Sequence, residues 1–321
     1  MAGWSHRYAR INDLDVHYVE QGDGPLVVLL HGFPHLWYSW RHQIGPIADA
    51  GFRVVAPDMR GMGGTSGPAD HRAYGPASIV GDVAGLLDHL GEDRAVFSGL
   101  DFGLFAAYDL AHRHPERVEA LIALENPFFT PSRESPLTLA ARQAERHFNH
   151  IHYFAEPGAA DRDLAAAPRE FLRKVFYALS SDYHYLDVWK KPPGTSYIDA
   201  LPETPPLPWP WLTEAELEFY VAEYSRSGFT GGLNWYRAMD IAWEERKSYA
   251  PRTTVPYYFI GSEQDADLEG WHGDDPLNRL GDHHADVRDV RMIKAAGHMM
   301  QMEKPAETTA AMLEFLARRG A

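Results

Sequence analysis

The chain has 321 residues, long enough for one large α/β domain or for a core domain with an inserted subdomain. Its formal net charge of −15 and the lack of a long basic run argue against a nucleic-acid surface and favour a neutral substrate. The chain contains no cysteine, which excludes thiol and disulfide chemistry, and no stretch approaches the roughly 20 apolar residues of a membrane span. We therefore expect a protein of the cytoplasm that binds neither nucleic acid nor membrane.

Strand and helix patterns alternate along the first part of the chain. Strands are predicted at residues 16–19, 25–30, 52–56, 95–97 and 118–124, and helices at 78–90 and 102–114. The run from Pro25 to Leu30 is apolar throughout, which is typical of a central strand buried on both faces. The alternation predicts an α/β fold with a mostly parallel sheet that is covered by helices on both faces.

The alternation stops after Pro127 and returns near residue 257. Further strands are predicted at 257–260 and 287–293, and a final helix at 305–319. The intervening segment is rich in aromatic residues and proline, and amphipathic helices are predicted within it at 168–179, 214–226 and 232–243. We therefore predict a core of residues 1–128 and 251–321, with residues 129–250 inserted as a helical lid.

Two local signals refine the predicted lid. Thr213 and Glu216 form the S/T-x-x-E pattern of a capping box, which predicts the start of the second lid helix. Residues 201–211 contain too many prolines for a helix or a central strand, so they predict an ordered surface loop.

Asp101 is the most informative residue of the chain. It lies between a predicted strand and a predicted helix in Ser98-Gly99-Leu100-Asp101-Phe102-Gly103, where an α/β-hydrolase would carry its nucleophile on a sharp turn. An ionised carboxylate can attack a saturated carbon without a general base, and the alkyl ester that forms can be hydrolysed. The position therefore predicts a covalent mechanism on epoxides or alkyl halides.

Hydrolysis of such an ester needs a base and an acid that orients it. His298 follows the last predicted strand and should lie at the carboxyl edge of the sheet, where open α/β sheets bind their ligands. Two acids could orient it, because Asp265 follows the strand at 257–260 and Glu125 follows the strand at 118–124. Both positions are geometrically suitable.

The segment His31-Gly32-Phe33-Pro34 follows the buried strand at 25–30. We expect it to direct the backbone N–H of Phe33 into the cleft beside that of Phe102, which would form an oxyanion hole. His31 and His35 could suggest a metal pair, but Gly32 and Pro34 prevent a regular helix there, so no metal site is predicted.

Several motifs, in this order along the chain, resemble those of the α/β-hydrolase-fold epoxide hydrolases. They are His31-Gly32-Phe33-Pro34 with Trp37 and Trp40, Asp58 to Ser66, the Asp101 turn, Phe154-Ala155-Glu156-Pro157-Gly158, Ser227 to Arg237, and Gly297-His298. The resemblance spans nearly the whole chain. It implies an α/β-hydrolase fold with a lid, hydrolysis of a small and mostly apolar epoxide, and no cofactor.

The resemblance also implies roles for lid residues. Tyr236 would donate a hydrogen bond to the epoxide oxygen, and an ungapped match places His150 where the family has a second tyrosine, with Tyr153 one turn further along. Pro34, Trp37 and Trp235 would join Tyr153 in lining the substrate pocket. Typical epoxide hydrolases use the position of Asp265 to orient the base, and dehalogenase-like relatives use that of Glu125, so the resemblance favours Asp265 and leaves Glu125 as the alternative.

Two rival functions share these features. A haloalkane or haloacid dehalogenase would use the same nucleophile and base, but it would need weak donors for halide where this chain has Phe33 and Phe102. A protein that only binds an apolar ligand would not need the complete set of catalytic groups. A homodimer is compatible with all three functions.

Overall fold

The computed structural model describes residues 4–129 and 132–319. Residues 1–3 and 320–321 of the predicted core and residues 130–131 of the predicted lid lie outside the described residues. The described residues form an eight-stranded sheet in the order β1-β2-β4-β3-β5-β6-β7-β8. Its strands are β1 Ser5–Ile11, β2 Leu14–Gln21, β3 Leu26–Leu30, β4 Arg53–Pro57, β5 Ala95–Gly99, β6 Val118–Leu124, β7 Thr253–Ser262 and β8 His284–Ile293.

The strand pairing confirms the predicted mostly parallel sheet. β1 and β2 pair antiparallel, β2 pairs antiparallel with β4, and all further pairs from β4 to β8 are parallel. Every residue of β3 and β5 is buried, because these central strands are covered on both faces. The two faces pack against two separate hydrophobic clusters.

Helices cover the sheet and fill the segment between β6 and β7. Those packed around the sheet are α1 Arg41–Asp49, α2 Pro76–Leu90, α3 Phe102–Arg113, α12 Ala266–Trp271, α13 Leu280–His283, α14 Met300–Glu303 and α15 Pro305–Ala317. Those between β6 and β7 are α4 Pro136–Ala144, α5 His150–Ala155, α6 Ala159–Ala166, α7 Pro168–Ala178, α8 Tyr197–Ala200, α9 Glu214–Ser227, α10 Thr230–Arg237 and α11 Met239–Arg246. None of the helices in the described part of the chain combines the length and apolar character needed to cross a membrane.

The helical segment contains four helices that the sequence pattern did not predict, α4, α5, α6 and α8, and it departs from a stated prediction in two places. The helix predicted over 232–243 is two helices, α10 and α11, which meet at Ala238. The proline-rich stretch 201–211 contains no helix, as predicted, but it is more than a surface loop because Trp209 and Trp211 are buried in the main hydrophobic cluster. The capping box of Thr213 and Glu216 is present at the start of α9.

The register of the central strands brings their carboxyl ends together. Leu30 pairs with Gly99, Gly99 with Ala123, and Leu124 with Ile260. The turns after β3, β5, β6 and β7 therefore meet at one edge of the sheet, below the helical segment. This edge is where ligands bind in open α/β sheets.

The start of α3 crosses the end of β3 so closely that Gly103 has no room for a side chain. A Cβ atom on Gly103 would lie 2.3 Å from the carbonyl oxygen of Leu30 and 2.4 Å from its carbonyl carbon. Both are backbone atoms, so relief would require the helix or the strand to shift.

We predict that Gly103→Ala lowers the free energy of unfolding by about 1 to 3 kcal/mol or more, because it overpacks this crossing. Gly81→Ala in α2 is the matched control, since the nearest atom to its added Cβ is Asn12 Nδ2 at 3.7 Å. That control should be neutral or more stable by up to about 1 kcal/mol. Urea unfolding measures both, and equal stability of the two variants would contradict the close crossing.

Candidate active site

Asp101 occupies a strained turn between β5 and α3. Its backbone has φ +50° and ψ −132°, outside the regions that a side chain normally favours. Gly99 permits the turn, because a Cβ there would lie 2.7 Å from the backbone nitrogen of Leu104. The turn places the Asp101 carboxylate beyond the end of β5, where it lines a cavity below the helical segment between β6 and β7.

Backbone amides hold this carboxylate. The N–H of Phe33 donates to Asp101 Oδ1 at 2.9 Å, and the N–H of Phe102 also donates to the carboxylate. A Cβ on Gly32 would lie only 1.9 Å from Oδ1, so the loop after β3 can approach only with glycine there. Burial raises the pKa of Asp101, whereas His298 and the two amides act to lower it. Both amides predicted for the oxyanion hole therefore face the nucleophile.

His298 lies between Asp101 and Asp265. Its Nδ1–H donates to Asp265 Oδ2 at 3.1 Å, and its Nε2 lies 3.9 Å from Asp101 Oδ2. Asp265 is itself fixed, because its Oδ1 accepts the backbone N–H groups of Asp267 and Leu268 at the start of α12. The acid thus holds the imidazole ring in one orientation, with Nε2 directed at the nucleophile.

Glu125 occupies a different place from Asp265. Its Oε2 accepts the backbone N–H of Asp101 at 2.9 Å and lies 3.3 Å from His298 Nε2, the ring nitrogen opposite the one that Asp265 holds. Its Oε1 is buried and has no hydrogen-bond partner in the described part of the chain. Burial raises the pKa of Glu125 well above its usual range, whereas the neighbouring charge of His298 acts to lower it. In this geometry Asp265, and not Glu125, is placed to orient the base.

The surroundings of His298 favour its charged form. Burial alone would lower the pKa of the imidazole, but Glu125, Asp265 and Asp267 surround it and raise that pKa well above 6.5. Asp265, Asp267 and His298 also bring three ligand-type atoms within 4.8 Å, so they are the side chains that could hold a cation. The Asp265 to His298 hydrogen bond already connects two of these residues.

The Asp101 carboxylate lines a cavity of about 410 Å³, which is called the main cavity below. A second space of about 50 Å³ shares four of its lining residues, which are Asp101, His150, Tyr236 and Asp267. The lining is mostly apolar and aromatic, as ligand sites commonly are. Pro34 lines the smaller space, as predicted for the substrate pocket.

Tyr236 projects from α10 into both spaces. Its ring packs edge-on against Phe102 at 4.7 Å and at a tilt against Phe154 at 4.8 Å between centroids. No group in the described part of the chain forms a hydrogen bond with its hydroxyl. Burial, followed by the nearby Asp101 charge, raises the pKa of Tyr236 well above 10, so the phenol keeps its proton. It is a free donor that faces the nucleophile's cavity.

His150 is a second donor with a defined tautomer. Its Nδ1 accepts the indole N–H of Trp189 at 3.1 Å and lies 3.2 Å from the hydroxyl of Tyr185. An indole can only donate, so Nδ1 carries no proton and a neutral ring must carry its proton on Nε2. Burial lowers the pKa of His150 to about 3, which keeps the ring neutral at ordinary pH. Sequence reasoning missed Trp189 and Tyr185, which lie in a 3-10 turn far along the chain from His150.

Three residues predicted to line the pocket do not line the spaces around Asp101. Trp37 packs against Trp4 and Phe219 in the cluster on the other face of the sheet. Trp235 turns its indole N–H to the carbonyl of Arg60 at 3.0 Å and packs behind Phe102.

Tyr153 is the third of these residues. Its hydroxyl donates to the carboxylate of Asp163, and its ring packs against Phe148 and Tyr197. Of the two alternatives for the second lid donor, His150 is therefore the one that faces the cavity. Residue spacing alone left this open, since residues three apart share roughly one face of a helix.

A nucleophilic carboxylate at a strand-to-helix turn, with an acid and histidine pair beside it and two amides aimed at it, is the arrangement of an α/β-hydrolase. A family model described as alpha/beta hydrolase fold matches residues 25–305. The family match and the geometry of the site therefore both indicate an α/β-hydrolase.

The relatives narrow the class further. The chain is 38% identical over 321 residues to Epoxide hydrolase A of Mycobacterium tuberculosis, with 98% of each chain covered. The crystal structure of Epoxide Hydrolase A from Mycobacterium thermoresistibile matches with a TM-score of 0.89 at 39% identity, covering 98% of each chain. An epoxide hydrolase from an endophytic Streptomyces matches with a TM-score of 0.92 at 34% identity, covering 99% of this chain and 96% of that one. The chain thus belongs to the epoxide hydrolases of the α/β-hydrolase fold, which confirms the resemblance seen in its sequence.

The raised pKa of His298 generates a prediction about pH. A base must be neutral to accept a proton, so the ester-hydrolysis step should accelerate as pH rises through the raised pKa, by about tenfold per pH unit while imidazolium predominates. Asp265→Asn removes one of the charges that raise this pKa, and its profile should move to lower pH with a lower maximum. Single-turnover kinetics from about pH 6 to 9 measure this step. A profile in the parent enzyme that is flat over this range would contradict it.

Proposed function

We propose that the protein converts epoxides to vicinal diols through a covalent ester on Asp101, with residues 129–250 acting as the lid. One observation carries this proposal. The carboxylate of Asp101 and two unused donors, the hydroxyl of Tyr236 and the Nε2–H of His150, line the same mostly apolar cavity. Attack on an epoxide carbon needs such donors, because the departing alkoxide is a poor leaving group.

In the first step, Asp101 forms a carbon–oxygen bond to the epoxide. Oδ1 is held by the N–H of Phe33, so Oδ2 is the oxygen free to attack an epoxide carbon. The bond from that carbon to the epoxide oxygen breaks, and the oxygen takes a proton from Tyr236 while His150 donates a hydrogen bond. The product is a hydroxyalkyl ester of Asp101.

In the second step, water cleaves this ester. His298 Nε2 takes a proton from water, and the resulting hydroxide attacks the carboxyl carbon of Asp101. Negative charge then collects on Oδ1, where the amide of Phe33 stabilises it, and the amide of Phe102 also donates to this carboxyl group. The carbon–oxygen bond from the carboxyl carbon to the alkyl oxygen breaks, the departing alkoxide takes the proton of the His298 imidazolium, and the diol leaves. Asp101 retains one oxygen from water, and the proton of its new carboxylic acid returns to the Tyr236 phenolate, which restores all three groups to their starting states.

The dehalogenase alternative has less support from the site. The residues beside the nucleophile that would face a halide are Phe33 and Phe102, and neither side chain can donate a hydrogen bond. The indole N–H groups of Trp189 and Trp235 are already used by His150 and by the carbonyl of Arg60. The phenol and imidazole donors suit an oxygen leaving group instead.

We predict that His298→Gln traps the ester. The variant retains Asp101 and the lid donors, so it should still alkylate, but without a base the adduct should persist. Mass spectrometry of the intact protein and of its peptides should locate the epoxide mass on Asp101. A double change that adds Asp101→Asn is the control and should remain unmodified, and normal turnover by His298→Gln would contradict the role of the base.

We predict that Tyr236→Phe slows alkylation by about 10²-fold, because it removes one preorganised donor while it keeps the ring and its packing. Tyr220→Phe is the matched control, since Tyr220 is another buried lid tyrosine whose hydroxyl bonds to Ser39, outside the spaces around Asp101. Pre-steady-state alkylation rates measure both variants. Equal rates in the two variants would mean that another group donates to the epoxide oxygen.

A further inference from the structure

A chain of three polar side chains enters the main cavity beside the catalytic residues. His272 Nε2–H donates to Asn126 Oδ1 at 2.8 Å, and Asn126 Nδ2–H donates to Asp267 Oδ2 at 2.6 Å. All three residues line the cavity that contains Asp101. Burial lowers the pKa of His272 to about 4, so the ring is neutral at ordinary pH and the amide orientation of Asn126 is fixed by its two neighbours.

This hydrogen-bonded series ends at Asp267, whose carboxylate has a partner on only one of its two oxygens. Asp267 Oδ2 accepts from Asn126, but no group in the described part of the chain donates to Asp267 Oδ1. Asp267 is only partly buried, so this oxygen is open to the cavity, and around it the cavity is lined mostly by apolar and aromatic side chains. A donor on a bound ligand would complete the set.

The place of Asp267 defines which part of a ligand would meet it. Asp267 lines both the main cavity and the smaller space with His298, whereas Asn126 and His272 line the main cavity alone. The polar chain therefore lies on the main-cavity side of the reacting centre. A ligand with its epoxide at Asp101 and its remaining atoms in the main cavity would pass this carboxylate.

We infer that Asp267, held by Asn126 and His272, is a specificity site that selects epoxides carrying a second group able to donate a hydrogen bond, a hydroxyl or an ammonium. This inference rests on the proposed function, since it names the substrate class of the same cavity. Epoxides that carry a carboxylate are disfavoured, because their charge would meet Asp267 in addition to Asp101 and Asp265.

A different role for Asp267 would be to support the charge of His298, whose pKa it helps to raise. The two roles have different consequences. A change in the basicity of His298 alters ester hydrolysis for every substrate alike, whereas loss of a contact with the substrate alters only the substrates that carry the contacting group. A ratio of kcat/KM values for two substrates therefore separates them.

The test uses matched epoxides of several tail lengths that end in hydroxyl, methoxy, methyl, dimethylammonium or carboxylate. The parent enzyme should favour the hydroxyl or dimethylammonium tail over methoxy and methyl tails of equal length by about 10-fold or more in kcat/KM, and should disfavour the carboxylate most. The tail with the higher kcat/KM then shows whether the donor that Asp267 prefers is a hydroxyl or an ammonium group.

Asp267→Asn should abolish this preference, because its amide oxygen would turn to Asn126 and its NH₂ would face the cavity as a donor. The hydroxyl-to-methoxy ratio should then fall to near one. Glu269→Gln is the matched control, since it removes an exposed charge of α12 whose carboxylate contacts His184 outside the cavity, and it should keep the parent ratio. Should Asp267→Asn not fold, Asp267→Ser replaces it, with the same loss of preference expected.

The outcomes separate the two proposals. If the parent enzyme opens none of these epoxides, the proposed function fails, and dissociation constants of the matching diols, measured by calorimetry, then decide the inference through the same ratios. Equal kcat/KM values for hydroxyl, methoxy and methyl tails in the parent enzyme overturn the inference alone. A preference that survives unchanged in Asp267→Asn overturns it as well.

Discussion

The site depends on placing several carboxyl groups around one imidazole where water is largely excluded. In such surroundings charges interact more strongly than in water, so the hydrogen-bond partners of each carboxyl group have a large effect. Asp265 accepts two backbone N–H groups and the imidazole, so both of its oxygens have partners. Glu125 has one oxygen without any partner among the described residues, and burial raises its pKa. Chemically similar side chains thus differ in function because of their hydrogen bonds.

The helical segment between β6 and β7 contributes to this arrangement. The backbone N–H of His298 donates to the carbonyl of Leu179 at the end of α7, and a Cβ on Gly297 would lie 2.6 Å from that oxygen. Glu303 accepts backbone N–H groups from both Gly297 and Ser181, which joins the same two segments. The turn that carries the base is therefore packed directly against the inserted helices. A contact of this kind fixes His298 relative to the side chains that the inserted helices carry.

The two acid positions after β6 and β7 were open alternatives in the sequence, and both are occupied by carboxyl groups that contact His298. Their partners distinguish them. Asp265 binds Nδ1, the nitrogen away from the nucleophile, whereas Glu125 also accepts the backbone N–H of Asp101 and so braces the strained turn itself. The chain thus places one carboxyl group on each ring nitrogen of His298. In this geometry the two are complementary and do not compete.

The sequence by itself determined the fold class and most of its elements, because a buried parallel strand such as β3 and the turn at Asp101 are encoded within a few neighbouring residues. It also predicted the family, which the relatives confirm. The roles of Asp101, His298, Tyr236 and His150 remain predictions. The meeting of Asp101 and His298 could be anticipated from strand ends, whereas Tyr236 and His150 were placed only through the family resemblance. Only the tertiary structure decided where Trp37, Trp235 and Tyr153 point, and only it brought Asn126 and His272 to Asp267. The physical reason is that side-chain direction and partners depend on packing against other segments, several of them more than a hundred residues away, which no local pattern records.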